Sequence, residues 1–174
     1  MSDPTESGAQ TPTLTTQDYI DIQQLNARYA MEIDDYEGDG YGYADLYTPD
    51  GTFGVSEKWG DPGTTFARTR DELATAAGGG PDGRQPARFG TSTHIICNLI
   101  IEPRPGGAWG RCKLLAMKLD EDPMRNEPQG GYEDFYVKTD KGWRFKSRVH
   151  VFPNMRQSLQ FGPTSKYALP PKQG

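Results

Sequence analysis

The stretch "YEDFYVKTDKGWRFKSRVHVF", residues 132–152, decides the fold. Apolar and polar residues alternate on both sides of Asp140-Lys141-Gly142, a short connection ending in a glycine that can take positive φ, so the stretch reads as a β-hairpin. A period of two places Tyr132, Asp134 and Tyr136 on one strand face, with Phe135 and Val137 on the other. A second hairpin precedes it. "THIICNLIIEP", residues 93–103, is rich in β-branched side chains, "PGG" at Pro105 to Gly107 is a turn, and "AWGRCKLLAMKL", residues 108–119, returns as a strand. The polar "DEDPMRNEPQGG", residues 120–131, is the loop between the hairpins.

Towards the N-terminus the period changes from 2 to 3.6. Ile22, Leu25, Tyr29 and Ile33 recur at spacings of three and four, one buried stripe on a long helix that Thr15 or Thr16 can cap. A short helix over Tyr43 to Tyr47 is expected to stop at the turn-like "TPDG", Thr48 to Gly51, which leads into the strand "TFGV". "TRDELATAA" opens with a Thr69 to Glu72 capping box and predicts a third helix, ended by the glycine run Gly78 to Gly83. Residues 1–14 read as a disordered tail, 15–152 as one domain, and 153–174 as a proline-containing C-terminal arm. Three helices followed by a four-stranded antiparallel meander imply an α+β domain, a curved sheet covering helices with a cone-shaped hollow between them.

With 174 residues, a sequence pI near 5.0 and a net charge of -5, the chain offers no broad cationic surface for nucleic acid. Its polar N-terminus has no apolar run to act as a signal or membrane anchor, so a cytoplasmic protein is expected. Cys97 and Cys112 sit in apolar runs and read as free thiols. "IDDYEGDGYGYADL", Ile33 to Leu46, imitates a calcium loop at Asp35, Glu37, Asp39 and Gly40, but Leu46 occupies the position that needs a bidentate Glu. No metal or nucleotide motif appears elsewhere, so neither metal nor cofactor is expected.

Chemistry then rests on few residues. His94 is one of two histidines and, if the strand alternates regularly, shares a face with Ile96, Asn98 and Ile100. It reads either as a proton-transfer group in a pocket or as a structural histidine satisfied by the backbone. Asp34 ends the first helix, five residues beyond Tyr29, so the two side chains diverge by roughly 140° on an ideal helix. Asp34 reads as a catalytic carboxylate or as a solvated helix end. The aromatic residues, among them Tyr43, Phe53, Trp59, Tyr132 and Tyr136, are candidates for the walls of an aromatic-ligand site, or for ordinary sheet and interface packing.

The ordered set "RYAMEIDDYE", "ADLYTPDGTF", "RTRDELATA", "THIICNLII", "AWGRCKLLAM" and "GGYEDFYVKTDKGWRFKSRV" resembles the nuclear transport factor 2-like superfamily in its SnoaL-like branch, over roughly residues 15 to 152. The resemblance implies an α+β cone and a homodimer formed through the sheet. The branch includes dehydratases, isomerases, polyketide cyclases and cofactorless lyases of lignin-derived aromatic dimers. By resemblance to the dehydratases, Tyr29 and Asp34 match a helix tyrosine and aspartate, His94 matches a strand histidine, and Arg148 falls near a functional arginine. The implied activity is a lyase that eliminates water from a hydroxylated aromatic or polycyclic small molecule. Asn98, Lys113, Tyr132 and Arg148 are then candidates for holding phenolate or hydroxyl groups. An isomerase or cyclase, or a ligand-binding module without catalysis, remains open at this point.

Overall fold

The computed structural model describes residues 10–34, 38–82, 92–118, 125–126 and 130–152. Helix α1, Thr16–Ile33, begins where Thr15 and Asp18 form a reciprocal capping box. It buries Ile22, Leu25 and Tyr29 as its stripe requires, together with two polar residues, Asp18 and Asn26. Asp18 is not a solvent-side cap: it also accepts hydrogen bonds from Lys138 Nζ at 2.7 Å and Trp143 Nε1 at 2.9 Å, fastening the start of α1 to the second hairpin. These charge-assisted bonds hold its carboxyl well below the usual carboxylate range. Ahead of the helix, Gln10 accepts a backbone hydrogen bond from Gly106, and Leu14 packs against the core.

Helix α2 is Tyr41–Ala44, and the first strand, β1, runs over Tyr47–Ser56. The sequence expectation of a helix to Tyr47 followed by a "TPDG" turn is therefore corrected: those four residues lie inside β1. Their turn chemistry survives as an irregularity, because β1 advances from Tyr47 to Thr52 while its partner strand advances only from Phe145 to Ser147. Pro49 and Asp50 are pushed out to solvent. Strand β2, Thr64–Ala67, precedes α3, Arg70–Ala76, whose Thr69–Glu72 capping box is as the sequence indicates. Gly78 and Gly80, at φ 88° and 100°, end it with backbone that favours glycine.

The remaining strands are β3, Ser92–Arg104; β4, Gly107–Lys118; the short β5, Arg125–Asn126; β6, Gly130–Thr139; and β7, Gly142–Val151. Both expected hairpins form, β3–β4 and β6–β7, with Gly106 and Gly142 at positive φ in their turns. The expected four-stranded antiparallel meander is enlarged to seven strands in the order β2-β1-β7-β6-β4-β3, with β5 beside β4 inside the expected polar loop. One pairing is parallel, β1 to β7. That long-range contact brings the helical half of the chain back to its last strand. Helix α1 packs on the inner face of the sheet, and the core between them is aromatic: Tyr29, Tyr43, Tyr47, Tyr132, Tyr136 and Phe145 are all buried. Among the described residues no helix is long and apolar enough to cross a membrane. Residues 153–174 lie outside the described residues, as does part of the acidic stretch after Asp34.

Candidate active site

Helix α1 ends at Ile33, and Asp34 is its C-cap, with φ −91°, ψ −4° and a backbone bond to Ala30 O. As a cap, its side chain is released from the helix surface and reaches β3. One carboxylate oxygen accepts the His94 backbone N–H at 2.7 Å, and the other lies 2.6 Å from His94 Nδ1. The side chains are 20% and 11% exposed, so the pair is shielded without being sealed. A carboxylate at the negative end of a helix dipole lacks favourable partners on its own helix; here the His94 backbone N–H and the Nδ1 edge of its ring supply them. The residues 60 positions apart that sequence reading singled out are thus in direct contact.

Tyr29 belongs to a different group. Its hydroxyl donates to Tyr132 Oη at 3.3 Å, and its ring packs on Tyr43, Tyr132 and Phe145. Arg148 is completely buried, with its guanidinium carbon 3.8 Å from the ring centroids of both Tyr29 and Tyr132. A closed polar circuit holds it there. Arg148 Nη2 donates to Asn26 Oδ1 at 3.2 Å, Asn26 Nδ2 donates to Tyr136 Oη at 3.0 Å, and Tyr136 Oη donates to Asp134 Oδ2 at 2.7 Å. Asp134 Oδ1 completes it as an ion pair 3.5 Å from Arg148 Nε. Burial pushes the Asp134 carboxyl up to about 6, against the opposing pull of Arg148. Burial works against the charge on Arg148 too, but Asp134, Tyr29, Cys112 and Tyr132 together more than offset it, and the guanidinium stays protonated. Burial likewise raises the phenols of Tyr29, Tyr43, Tyr132 and Tyr136.

His150 joins the two groups. It faces Tyr132 across the β6–β7 pair, stacks on that ring with centroids 4.7 Å apart, and interacts electrostatically with His94. The residue keeps partial exposure, yet its Nε2 atom is shut off from solvent and has no hydrogen-bond partner among the described residues. Burial, then the charges of His94 and Arg148, hold its imidazole well below the ordinary range, so it is neutral.

Other sequence candidates fall elsewhere. The β3 ladder slips between Cys97 and Ile100, and Asn98 takes φ 54°, so the alternation from His94 is broken and Asn98 points to solvent. Lys113 is corrected for a simpler reason: Cys112 and Leu114 on β4 face inward, so Lys113 must face outward. There its Nζ lies 5.0 Å from the Trp59 ring, and Arg111 stacks between Trp59 and Trp109, which places Trp59 on the outer face as well. Phe53 is buried against Phe66, and Tyr43 shares a 2.8 Å hydrogen bond with Tyr47; both are core residues. Sequence reading passed over Asn26 as a site residue, although a polar side chain one step from Leu25 in the buried stripe of α1 was the available signal.

Among the described residues no group of three or more His, Cys, Asp and Glu side chains is placed to hold a metal ion. Cys97 and Cys112 are free thiols, and burial pushes the Cys112 thiol up to about 12. A cleft of about 540 Å³ lies beside the β6–β7 turn, lined by Tyr47, Arg70, Lys141 and Arg144 among others. Neither Asp34 nor His94 borders it.

Solved structures share this arrangement of helix and sheet. A protein of unknown function from Mycobacterium tuberculosis, Rv3472 (D26N), is 27% identical, with a TM-score of 0.62 over 77% of this chain and 70% of that one. An NTF2-like protein with a cystatin-like fold from Novosphingobium aromaticivorans is 22% identical, with a TM-score of 0.64 over 83% and 90% of the two chains. A putative aromatic ring hydroxylase from the same organism is 20% identical, with a TM-score of 0.60 over 80% and 92%. No curated protein matches the chain. Residues 15–149 match the SnoaL-like domain, and with the cone of sheet and helices already described, the chain belongs to the SnoaL-like branch of the nuclear transport factor 2-like superfamily.

Proposed function

We propose that the chain is a cofactor-independent lyase that removes a hydroxyl, as water, from a hydroxylated aromatic compound by acid–base catalysis. The observation that carries this reading is the double grip of Asp34 on His94, through the backbone N–H and through Nδ1. A carboxylate against Nδ1 keeps the proton on that nitrogen, which leaves the lone pair on Nε2 as the base. It also stabilises the imidazolium once Nε2 has taken a proton.

With a para-hydroxybenzylic alcohol, Nε2 takes the phenolic proton, the ring electrons expel the benzylic oxygen, and an acid protonates that oxygen as it leaves. Water and a quinone methide result. Tyr29 is assigned as the acid, on its match to the helix tyrosine of the dehydratases. The proton gained by His94 balances the one Tyr29 gives up. If a hydroxymethyl group lies on the adjacent carbon, His94, once its proton has returned through solvent to the Tyr29 phenolate, removes the O–H proton of that group and the C–C bond breaks. Formaldehyde leaves, the electron pair of the broken bond forms a C=C bond to the former benzylic carbon, and the ring regains aromaticity as a phenolate that takes up the proton held by His94. Solvated aromatic diols of this kind, including lignin-derived diaryl compounds, are the substrate class proposed. The test is turnover of a panel of para-hydroxybenzylic diaryl alcohols by the full chain, by Asp34→Asn and by His94→Phe. Turnover that survives in folded forms of both variants would sink the assignment.

A further inference from the structure

We propose that Arg148 is a positioning residue that acts through Tyr29: clamped between the Tyr29 and Tyr132 rings by the Asn26–Tyr136–Asp134 circuit, its cation supports the Tyr29 phenol as that group gives up a proton. The inference rests on Tyr29 as the acid of the proposed reaction. It departs from the sequence expectation that Arg148 holds a substrate phenolate or hydroxyl.

Three observations carry it. Arg148 has no exposed surface, and its guanidinium is in contact with rings and polar side chains of the protein's own core. Its guanidinium carbon is equidistant, at 3.8 Å, from the two rings, one on α1 and one on β6, and lies 4.4 Å from a third, Phe145. A cation over a ring face is attracted more strongly as negative charge grows on that ring, which is what happens when a phenol loses its proton. Finally, the guanidinium is anchored from both sides, by Asn26 on the same helix as Tyr29 and by Asp134 directly across the sheet. The anchor on α1 ties the height of the helix to the cation, so the Tyr29 ring cannot slide off it without breaking the circuit.

The groups that bear on Tyr29 are Tyr43 from α2, Tyr132 and Asp134 from β6, and Arg148 from β7, with Tyr47 of β1 beyond Tyr43. Among them Arg148 favours the ionised phenol and Asp134 disfavours it, with burial the larger opposing influence. Opposite signs from two members of one circuit make the proposal separable from a purely structural role. A structural role would lower the stability of every variant and move the phenol in no particular direction.

The experiment places 3,5-difluorotyrosine at position 29 of the full chain, which brings the phenol titration nearer neutrality and supplies a ¹⁹F signal. The titration midpoint is compared in the native background, in Asp134→Asn and in Arg148→Met. The proposal expects the midpoint to fall in Asp134→Asn and to rise in Arg148→Met, each by about one pH unit or more for a charge a few ångströms away. Displacement in one common direction, or none, overturns it. If Arg148→Met does not fold, Asp134→Asn decides alone, a fall supporting the proposal and a rise or no change refuting it. Because no turnover is needed, this coupling can stand even if the lyase reading fails, and the two failures are distinguishable.

Discussion

Asp34 Oδ1 lies 2.6 Å from His94 Nδ1 while Asp34 Oδ2 accepts the His94 backbone N–H at 2.7 Å. One carboxylate therefore fixes both the position of the imidazole and the nitrogen that carries its proton. Asp34→Asn keeps the shape but offers an amide donor where an acceptor is needed. It is expected to lower kcat by about 10²–10⁴-fold with little change in KM. His94→Phe is expected to lose at least as much, and the double variant no more than the worse single one, because the two act as a unit. Steady-state kinetics on a para-hydroxybenzylic alcohol checks all three.

Lys113 and Asn98 make the opposite case. Both lie outside the cone interior, so Lys113→Ala and Asn98→Gly should leave turnover in the same assay unchanged. Asn98→Gly should also not destabilise the chain, since φ 54° is a conformation glycine adopts without a Cβ penalty.

These residues mark where the sequence stops being legible. The capping boxes at Thr15 and Thr69, the glycine turns at Gly106 and Gly142, and the stripe Ile22–Leu25–Tyr29 are local patterns, and each could be read directly. That Tyr132, Asp134 and Tyr136 share one face followed from the same alternation, but alternation alone did not say that this face is the buried one. Asn98 was misplaced because a slip in a ladder depends on the partner strand, and nothing within "HIICNLI" announces it. Lys113 lies outside because the apolar Cys112 and Leu114 on either side of it take the inward face of β4. The parallel β1–β7 pair, and with it the burial of Arg148, depends on contacts 95 or more residues apart that no periodicity encodes. Asp34 and His94 were found individually, but their contact required a helix end to meet a strand.

Arg148→Met should cost about 3–5 kcal/mol of stability, because it leaves Asp134 buried without its counter-charge. Equilibrium urea unfolding at neutral pH measures it. A cost below about 1 kcal/mol, the range of an exposed ion pair, would contradict the burial described here.

Asp134 predicts a pH dependence with a definite sign. Its folded-state value of about 6 lies above the ordinary 3.8, so between those values the native chain holds a proton that the unfolded chain has lost. Its contribution to stability is therefore most favourable below about pH 4, declines as pH rises, and has lost on the order of 3 kcal/mol above about pH 6. Asp134→Asn should abolish that slope. Urea midpoints for both proteins from pH 4 to 7 would show it, and parallel curves would refute it.

Asp18 behaves in the reverse sense. Its carboxylate is favoured by Lys138, Thr15 and Trp143, so the stability it supplies is present above about pH 4 and disappears only in stronger acid. Asp18→Ala removes the capping box and the link to the β6–β7 hairpin together, and should cost about 2–3 kcal/mol by urea unfolding at pH 7.

The most direct measurement follows the fate of oxygen. A para-hydroxybenzylic diaryl alcohol labelled with ¹⁸O at the benzylic position, incubated with the full chain and with His94→Phe, separates elimination from every other outcome by mass spectrometry. The dyad account predicts that the label leaves the organic product with the native chain and remains in place with His94→Phe. Retention of the label by the native chain across the panel, or equal loss in both proteins, would contradict it.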